Sequence, residues 1–277
     1  MKSILIPVED HAAIGSVLTT ALRLAERFGS YMEGVALGPD FAQITAADFS
    51  LGGMIVDDQA RHELLNEAYE IFSGFVQSNA IARTQDDTGK PHCSWRGDTL
   101  ITDEGIGEYG RIFDVLVVGR PAAGFHQPRK ATLEAAMFES GRPLLIAPPQ
   151  ETGKLGDCIA IAWNASPESA RSVAFAMPLL LAAQDVPVMM VPGTKLAGPD
   201  EAQLVTSLRR HGVPARVIPT NDTSKGPGFA VLETAQSVNA DMLIKGGYTQ
   251  SRVRQFIFGG PTSQILAEAT LPVFMAH

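Results

Sequence analysis

The chain has 277 residues, a formal net charge of −8, 45% hydrophobic residues and 19% charged residues. These proportions argue against a disordered chain, and the length predicts about two globular domains. No apolar run approaches the roughly 18 residues that span a bilayer, and the N-terminal apolar run is too short for a signal peptide. We therefore expect a cytoplasmic protein with no membrane partner.

Charge and cysteine usage restrict the ligand classes. The acidic balance argues against nucleic-acid binding. Residues 1–150 carry 12 basic and 20 acidic side chains, whereas residues 151–277 carry 10 of each, so an anion meets less repulsion in the second half. Cys93 and Cys158 form no CxxC pair, and the histidines show no paired-ligand spacing. We predict no disulfide and no metal site.

Apolar runs alternate with helical patterns along the first half. Predicted strands lie at residues 3–8, 31–37, 91–95, 114–118 and 143–147. Predicted helices lie at residues 12–28, 58–83 and 130–140. This alternation is typical of a parallel sheet with crossover helices. An insertion at residues 39–56 is predicted to be an ordered surface loop, with a lid or a cover for the other domain as alternatives.

After a linker at residues 148–156, the second half repeats this order. Predicted strands lie at residues 157–163, 186–191, 214–219, 241–245 and 271–276. Between the first two of them, Ser166 is predicted to cap a helix and Pro167 to begin it, with Ser169 leaving the capping box incomplete.

Two motifs recur in the same order in both halves. The sequence DVLVVG at residues 114–119 matches DMLIKG at 241–246, and GRPLLI at 141–146 matches TLPVFM at 270–275. We therefore predict tandem doubly wound domains, each with a five-stranded parallel sheet, at residues 1–149 and 156–277. The alternative is two unrelated α/β domains with generic strands.

The segment at residues 244–262, IKGGYTQSRVRQFIFGGPT, carries the clearest signal for a ligand. A strand ends at Lys245, and Gly246 and Gly247 allow a sharp turn and a close backbone approach to a ligand. Gly259 and Gly260 then precede a helix whose open N–H groups and dipole favour an anion.

Two arginines lie within this loop. Arg252 and Arg254 point the same way if the segment is extended, and they would add charge to a phosphate site. A solvated loop or a subunit contact explains them equally well.

This segment resembles the nucleotide loop of universal stress proteins, whose pattern is G-x2-G-x9-G-[ST]. Gly246 and Gly259 match the pattern. Thr249 replaces a glycine, Gly260 replaces the hydroxyl residue, and Thr262 follows two residues later.

Residues 162–173 and 138–149 also resemble segments of tandem universal stress proteins, so the resemblance covers the chain apart from the insertion. It implies that the second domain binds ATP or a related adenine nucleotide, with Mg²⁺. The implied ribose contact is Asn164, and adenine is implied near Val191. The residue corresponding to Asn164 in the first domain is Glu9.

The first domain lacks the loop. A Lys-Ala pair beginning at Lys130 replaces the glycine pair, and Pro121 and Pro128 remove donors. We predict that this domain binds no nucleotide, although Arg120, Arg129 and Lys130 leave an anion contact open.

The resemblance implies a stress-response protein that senses or regulates rather than catalyses. One alternative is a relative that has lost nucleotide binding and acts by contact with an unknown protein partner. A slow ATPase or adenylating enzyme is the other. The sequence contains no SGGxDS loop, P-loop or GxSxG elbow, so we assign no catalytic residue.

The resemblance also implies an intramolecular pseudo-dimer in which the last strands, residues 143–147 and 272–276, pair with each other. Pairing these edges has a physical motive, because an open sheet edge invites association. A further homodimer stays open.

Overall fold

The computed structural model describes most of the chain. The described residues are 1–39, 58–86, 89–124, 126–190, 193, 196–220, 224–247 and 260–277. The insertion at 39–56, except its first residue, and loop residues 248–259 lie outside them. What the sequence predicts for those segments stays a prediction.

Strands and helices alternate through the first half. Their order is β1 (Ser3–Val8), α1 (Ile14–Phe28), β2 (Tyr31–Leu37), α2 (Asp58–Ser78), β3 (Ala82–Arg83), β4 (His92–Ile101), α3 (Asp103–Tyr109), β5 (Val115–Gly119), α4 (Lys130–Glu139) and β6 (Leu144–Ala147). A 3-10 turn, Gly110–Ile112, follows α3.

The second half repeats the alternation. Its order is β7 (Ile159–Trp163), α5 (Pro167–Ala182), β8 (Val186–Met190), α6 (Glu201–Arg210), β9 (Ala215–Val217), α7 (Pro227–Ser237), β10 (Met242–Gly246), α8 (Gly260–Glu268) and β11 (Val273–Ala276).

The described strands form one 11-stranded sheet, in the order β3-β4-β2-β1-β5-β6-β11-β10-β7-β8-β9. Leaving out β3, each half has the order 3-2-1-4-5 when its own strands are numbered in sequence. The pairings within each half are parallel, and the β6–β11 pairing is antiparallel. The predicted parallel α/β class is confirmed, and the two sheets are continuous across the junction.

The edge strand β3 differs from the sequence prediction, which continued a helix to residue 83. The helix α2 ends at Ser78, and the chain turns through Ala80, whose φ of 51° is left-handed. The turn directs Ile81 into the core, where it is 8% exposed, and brings Ala82 beside His92. Burial of Ile81 therefore overrides the helical pattern of this segment.

The two faces of the sheet are covered by different helices. Side chains from α1, α2, α5 and α6 pack in one apolar cluster, and side chains from α3, α4, α7 and α8 pack in the other. This layering explains why most strands are continuous apolar runs, since both faces are buried. None of the described helices is long and apolar enough to cross a membrane.

The helix after β7 begins as the sequence predicts. The Ser166 side chain accepts a hydrogen bond from the Ser169 N–H at 3.1 Å, and Pro167 is the first helical residue. This cap fixes where α5 starts relative to the carboxyl end of β7.

The junction between the halves is the β6–β11 pair. Leu145 lies opposite Phe274 in the antiparallel register, and both side chains are 0% exposed. The prediction that the last strands pair within one polypeptide agrees with this register. Each strand supplies the neighbour that the other would otherwise lack at its edge.

We expect the chain without residues 151–277 to dimerise or aggregate, because the truncation uncovers the edge of β6. Size-exclusion chromatography with light scattering over a range of concentrations measures this, with the full chain as the control. A truncated protein that stays a soluble monomer would contradict the role assigned to the junction.

Candidate functional site

The candidate site lies at the carboxyl edge of the second half of the sheet. The strands β10, β7 and β8 are adjacent there. Between β7 and β10 the strand order reverses direction, and such switch points open a crevice where ligands bind in doubly wound sheets. Asn164 follows β7, and Gly246 ends β10, so both lie at this edge.

The structure describes half of the residues predicted for this site. Asn164, Gly246, Gly247, Gly260 and Thr262 are described. The other five lie outside the described residues, and their roles stay predictions: Val191, Thr249, Arg252, Arg254 and Gly259.

Asn164 builds the turn that leads into α5. Its Oδ1 accepts a hydrogen bond from the Ser166 N–H at 3.1 Å, and its backbone oxygen accepts one from the Leu196 N–H at 3.0 Å. The side chain is half-buried, and Ala165 beside it has a φ of 63°. An amide retains two N–H donors in this arrangement, which suit a hydroxyl acceptor such as that of a ribose.

Gly246 and Gly247 are required by close packing within the chain. A Cβ on Gly246 would lie 2.5 Å from the Ser169 nitrogen, and one on Gly247 would lie 2.8 Å from the Ala276 oxygen. The Gly247 N–H also donates to that oxygen at 2.8 Å. These contacts account for the glycine pair without a ligand, and the Gly247 N–H extends the pairing of β10 with β11.

The start of α8 has an open position. Gly260 is exposed and has a φ of 72°, and no atom of the described residues lies within 4 Å of the place that a Cβ would take. A glycine fits here because the backbone is left-handed, a conformation that residues with a side chain rarely adopt. The first N–H groups of α8 have no partner within the helix, and its dipole favours an anion beside them.

Lys245 is a further candidate residue, which the sequence identified only as the end of a strand. Its Nζ donates to the Thr262 Oγ1 at 2.6 Å and to the Gly246 oxygen at 2.9 Å. The side chains of Lys245 and Thr262 are buried, and burial lowers the pKa of Lys245 to about 8. In the sequence, Lys245 could be noticed as a charged residue inside an otherwise apolar strand.

The equivalent crevice of the first half is crossed by Arg129. This residue precedes α4, and its side chain is 5% exposed. Its guanidinium lies 2.6 Å from Glu9 and 3.4 Å from Asp103, and it donates to the Gly38 oxygen at 2.7 Å. The group therefore links the first turn of α4 to the carboxyl ends of β1 and β2.

The other two cations predicted for a first-half anion contact also have protein partners. Arg120 donates to the Ala269 oxygen of the second half at 2.9 Å. Lys130 pairs with Glu134 at 3.1 Å on the surface of α4. All three cations named from the sequence therefore contact groups of the chain itself.

The described residues contain no cluster of three or more His, Cys, Asp or Glu side chains that could hold a metal ion. The Asn164 amide and the first turn of α8 supply hydrogen-bond donors that can bind an anion, whereas Glu168, whose backbone packs against Gly246, adds a buried carboxylate to the same end of the sheet.

We expect Arg129→Met to lower the free energy of unfolding by about 3–5 kcal/mol, because Glu9 and Asp103 lose their counter-charge. Urea denaturation measures the loss. Lys130→Met, at the exposed neighbouring position, should change stability by less than about 0.5 kcal/mol. Equal effects of the two substitutions would contradict the buried ion pair.

Comparison with known proteins identifies the fold. No family model matches the chain. No curated protein matches it either. A universal stress protein from Archaeoglobus fulgidus DSM 4304 aligns with a TM-score of 0.72 at 15% identity, over 99% of this chain and 95% of that chain.

Two further solved structures match over the whole length. A putative universal stress protein from Pseudomonas aeruginosa UCBPP-PA14 has a TM-score of 0.50 at 13% identity, over 99% of this chain and 92% of that one. The cytoplasmic domain of a prokaryotic cation chloride cotransporter has a TM-score of 0.51 at 15% identity, over 99% and 94%. The chain has the tandem fold of the universal stress proteins.

Proposed function

We propose that the chain is a stress-response regulator that binds an adenine nucleotide, ATP with Mg²⁺, in its C-terminal half. The observation that carries this proposal is the difference between the two crevices. Arg129 fills the first crevice and is neutralised by Glu9 and Asp103. The second crevice has a buried cation, Lys245, and no carboxylate pairs with it among the described residues.

The second crevice has hydrogen-bond donors that suit the ribose and the phosphates of a nucleotide. Asn164 would contact the ribose through its amide, and the first turn of α8 would face the phosphates. The partly retained loop pattern, with Gly246 and Gly259 at the matching positions, supports the same assignment. Mg²⁺, when bound, would neutralise phosphate charge, and the protein residues named here would orient the nucleotide.

The proposed role is regulatory, and the described residues contain no cluster of His, Cys, Asp or Glu side chains that could hold a metal ion. We place the protein in the cytoplasm on the basis of its sequence. The antiparallel β6–β11 pair already occupies the edges through which the two halves associate, so a further homodimer would use a different surface.

Contact with another protein is the second candidate function. A domain of the same tandem fold is the cytoplasmic domain of a prokaryotic cation chloride cotransporter. That example supports a role exerted through an attached or contacting protein. The excess of acidic residues in the first half would then favour a basic partner surface.

We expect the nucleotide-stripped full chain to bind Mg²⁺-ATP in isothermal titration calorimetry, and Gly259→Val to weaken binding at least about tenfold by crowding the phosphates. The matched control is Lys130→Val, at the corresponding position of the first half, which should leave the affinity unchanged.

Absence of heat with ATP up to millimolar concentration would contradict nucleotide binding and favour the contact function. Equal loss of affinity in both variants would contradict the assignment to the C-terminal half.

A further inference from the structure

A cavity of about 300 Å³ opens at the outer edge of the sheet in the first half. The short strand β3 pairs only with the first two residues of β4, so the rest of this edge has no neighbouring strand among the described residues. The chain leaves the edge after Thr84, whose N–H donates to the Cys93 oxygen at 3.0 Å. The space that results is lined by Phe72 of α2, residues 83–85 and residues 93–95.

Aromatic rings form one side of this cavity. The ring centroids of Phe72 and Trp95 lie 5.4 Å apart, and the Tyr69 centroid lies 5.9 Å from that of Trp95. Two glycines leave room for the indole. A Cβ on Gly34 would lie 2.8 Å from the Trp95 ring, and one on Gly97 would collide with the indole nitrogen. Glycine inside a strand weakens the strand, so this arrangement of rings lowers stability.

The second half fills the corresponding position with aliphatic residues. When the strand registers are followed outwards from the β6–β11 junction, Gly34 and Trp95 correspond to Val188 and Val217, and each pair lies side by side on neighbouring strands. Valine is a common strand residue and packs here without a glycine. The fold therefore does not itself require the glycine and the tryptophan, which favours a role for them at the cavity.

A guanidinium group also lines the cavity. Arg83 is exposed, and it donates to the Tyr69 hydroxyl at 3.2 Å and to the Ser73 hydroxyl at 2.6 Å, so α2 orients it. These contacts use two of its five N–H donors. No salt bridge to Arg83 occurs among the described residues. An oriented guanidinium without a counter-charge suits a carboxylate, which matches its planar pair of donors.

We propose that this cavity binds a small aromatic carboxylate, with its ring against Phe72 and Trp95 and its carboxylate on Arg83. The cavity volume is at the lower limit of small-molecule sites, which run from roughly 300 to 1,000 Å³, so a single ring with an acid group suits it better than a nucleotide. Aromatic rings also attract one another beyond the area they bury. The cavity is separate from the crevice of the C-terminal half, so the inference does not rest on nucleotide binding.

The test uses the full chain with phenylacetate as the probe. Phenylacetamide keeps the ring and lacks the charge, whereas acetate keeps the charge and lacks the ring. Arg83→Met removes the guanidinium. The control is Arg210→Met, which removes an exposed arginine at the end of α6. Isothermal titration calorimetry measures the affinities at one ionic strength.

The chain contains two tryptophans, so the NMR signals of their indole N–H groups locate the ligand. Trp95 lines the cavity, whereas Trp163 is buried in the second half and its indole donates to the Pro199 oxygen at 2.8 Å. The variant Trp163→Phe assigns the two signals. We expect phenylacetate to shift the Trp95 signal and to leave the Trp163 signal in place.

We expect Arg83→Met to weaken phenylacetate binding roughly 3- to 10-fold, because a charge-assisted hydrogen bond at an exposed position is lost. Phenylacetamide should bind the unmodified chain more weakly by a similar factor, and Arg83→Met should not weaken its binding further. Acetate should show no binding at the same concentrations. Arg210→Met should bind phenylacetate like the unmodified chain.

Three results would overturn the inference. The first is a Trp95 signal that phenylacetate does not shift, because the ligand would then lie elsewhere or fail to bind. The second is equal affinity for phenylacetate in Arg83→Met and in the unmodified chain. The third is equal affinity of the unmodified chain for phenylacetate and phenylacetamide. None of these results depends on Mg²⁺-ATP, so failure of the proposed nucleotide binding would leave them unchanged.

Discussion

The antiparallel pairing of β6 with β11 determines the arrangement of the whole molecule. It joins two parallel sheets of the same topology into one and buries both edge strands. Matching contacts flank it, since the Arg120 N–H donates to the Ala147 oxygen and the Gly247 N–H donates to the Ala276 oxygen, at 2.9 and 2.8 Å. A pseudo-two-fold axis therefore relates the halves. The carboxyl ends of the strands in one half point in the opposite direction from those in the other half.

This arrangement places the two crevices at opposite ends of the strands, and the two crevices have different side chains. At the first crevice, Arg129 contributes an ion-pair network that ties α4 to the ends of the central strands. At the second crevice, Lys245 and Thr262 place a hydrogen-bonded cation where the first half has apolar packing. The first crevice is therefore crossed by ion pairs, whereas the second has a buried cation beside the start of a helix.

The sequence predicts the central strands well because a strand buried on both faces is a continuous apolar run with turn residues at its ends. β1 and β2 have the predicted limits, Ser3–Val8 and Tyr31–Leu37. The strand β3 escaped prediction, because its two residues are exposed and follow a long helical pattern.

The site was harder to predict, because its contacts join distant residues. Arg129 and Glu9 are 120 residues apart, and no local spacing reveals their ion pair. The backbone approach that requires a glycine at Gly246 comes from α5, which the pattern of a phosphate loop does not contain. Lys245 could be noticed in the sequence as a charge inside an apolar strand, but its contact with Thr262 is visible only in the structure.

We propose that the second half of the fold binds a ligand in its crevice, whereas ion pairs close the crevice of the first half. Hydrogen exchange of the full chain, measured by mass spectrometry with and without Mg²⁺-ATP, tests it most directly. We predict that the nucleotide slows exchange in peptides covering residues 242–268 and leaves those covering residues 115–139 unchanged. Protection around residues 115–139, or the absence of protection anywhere, would contradict the claim.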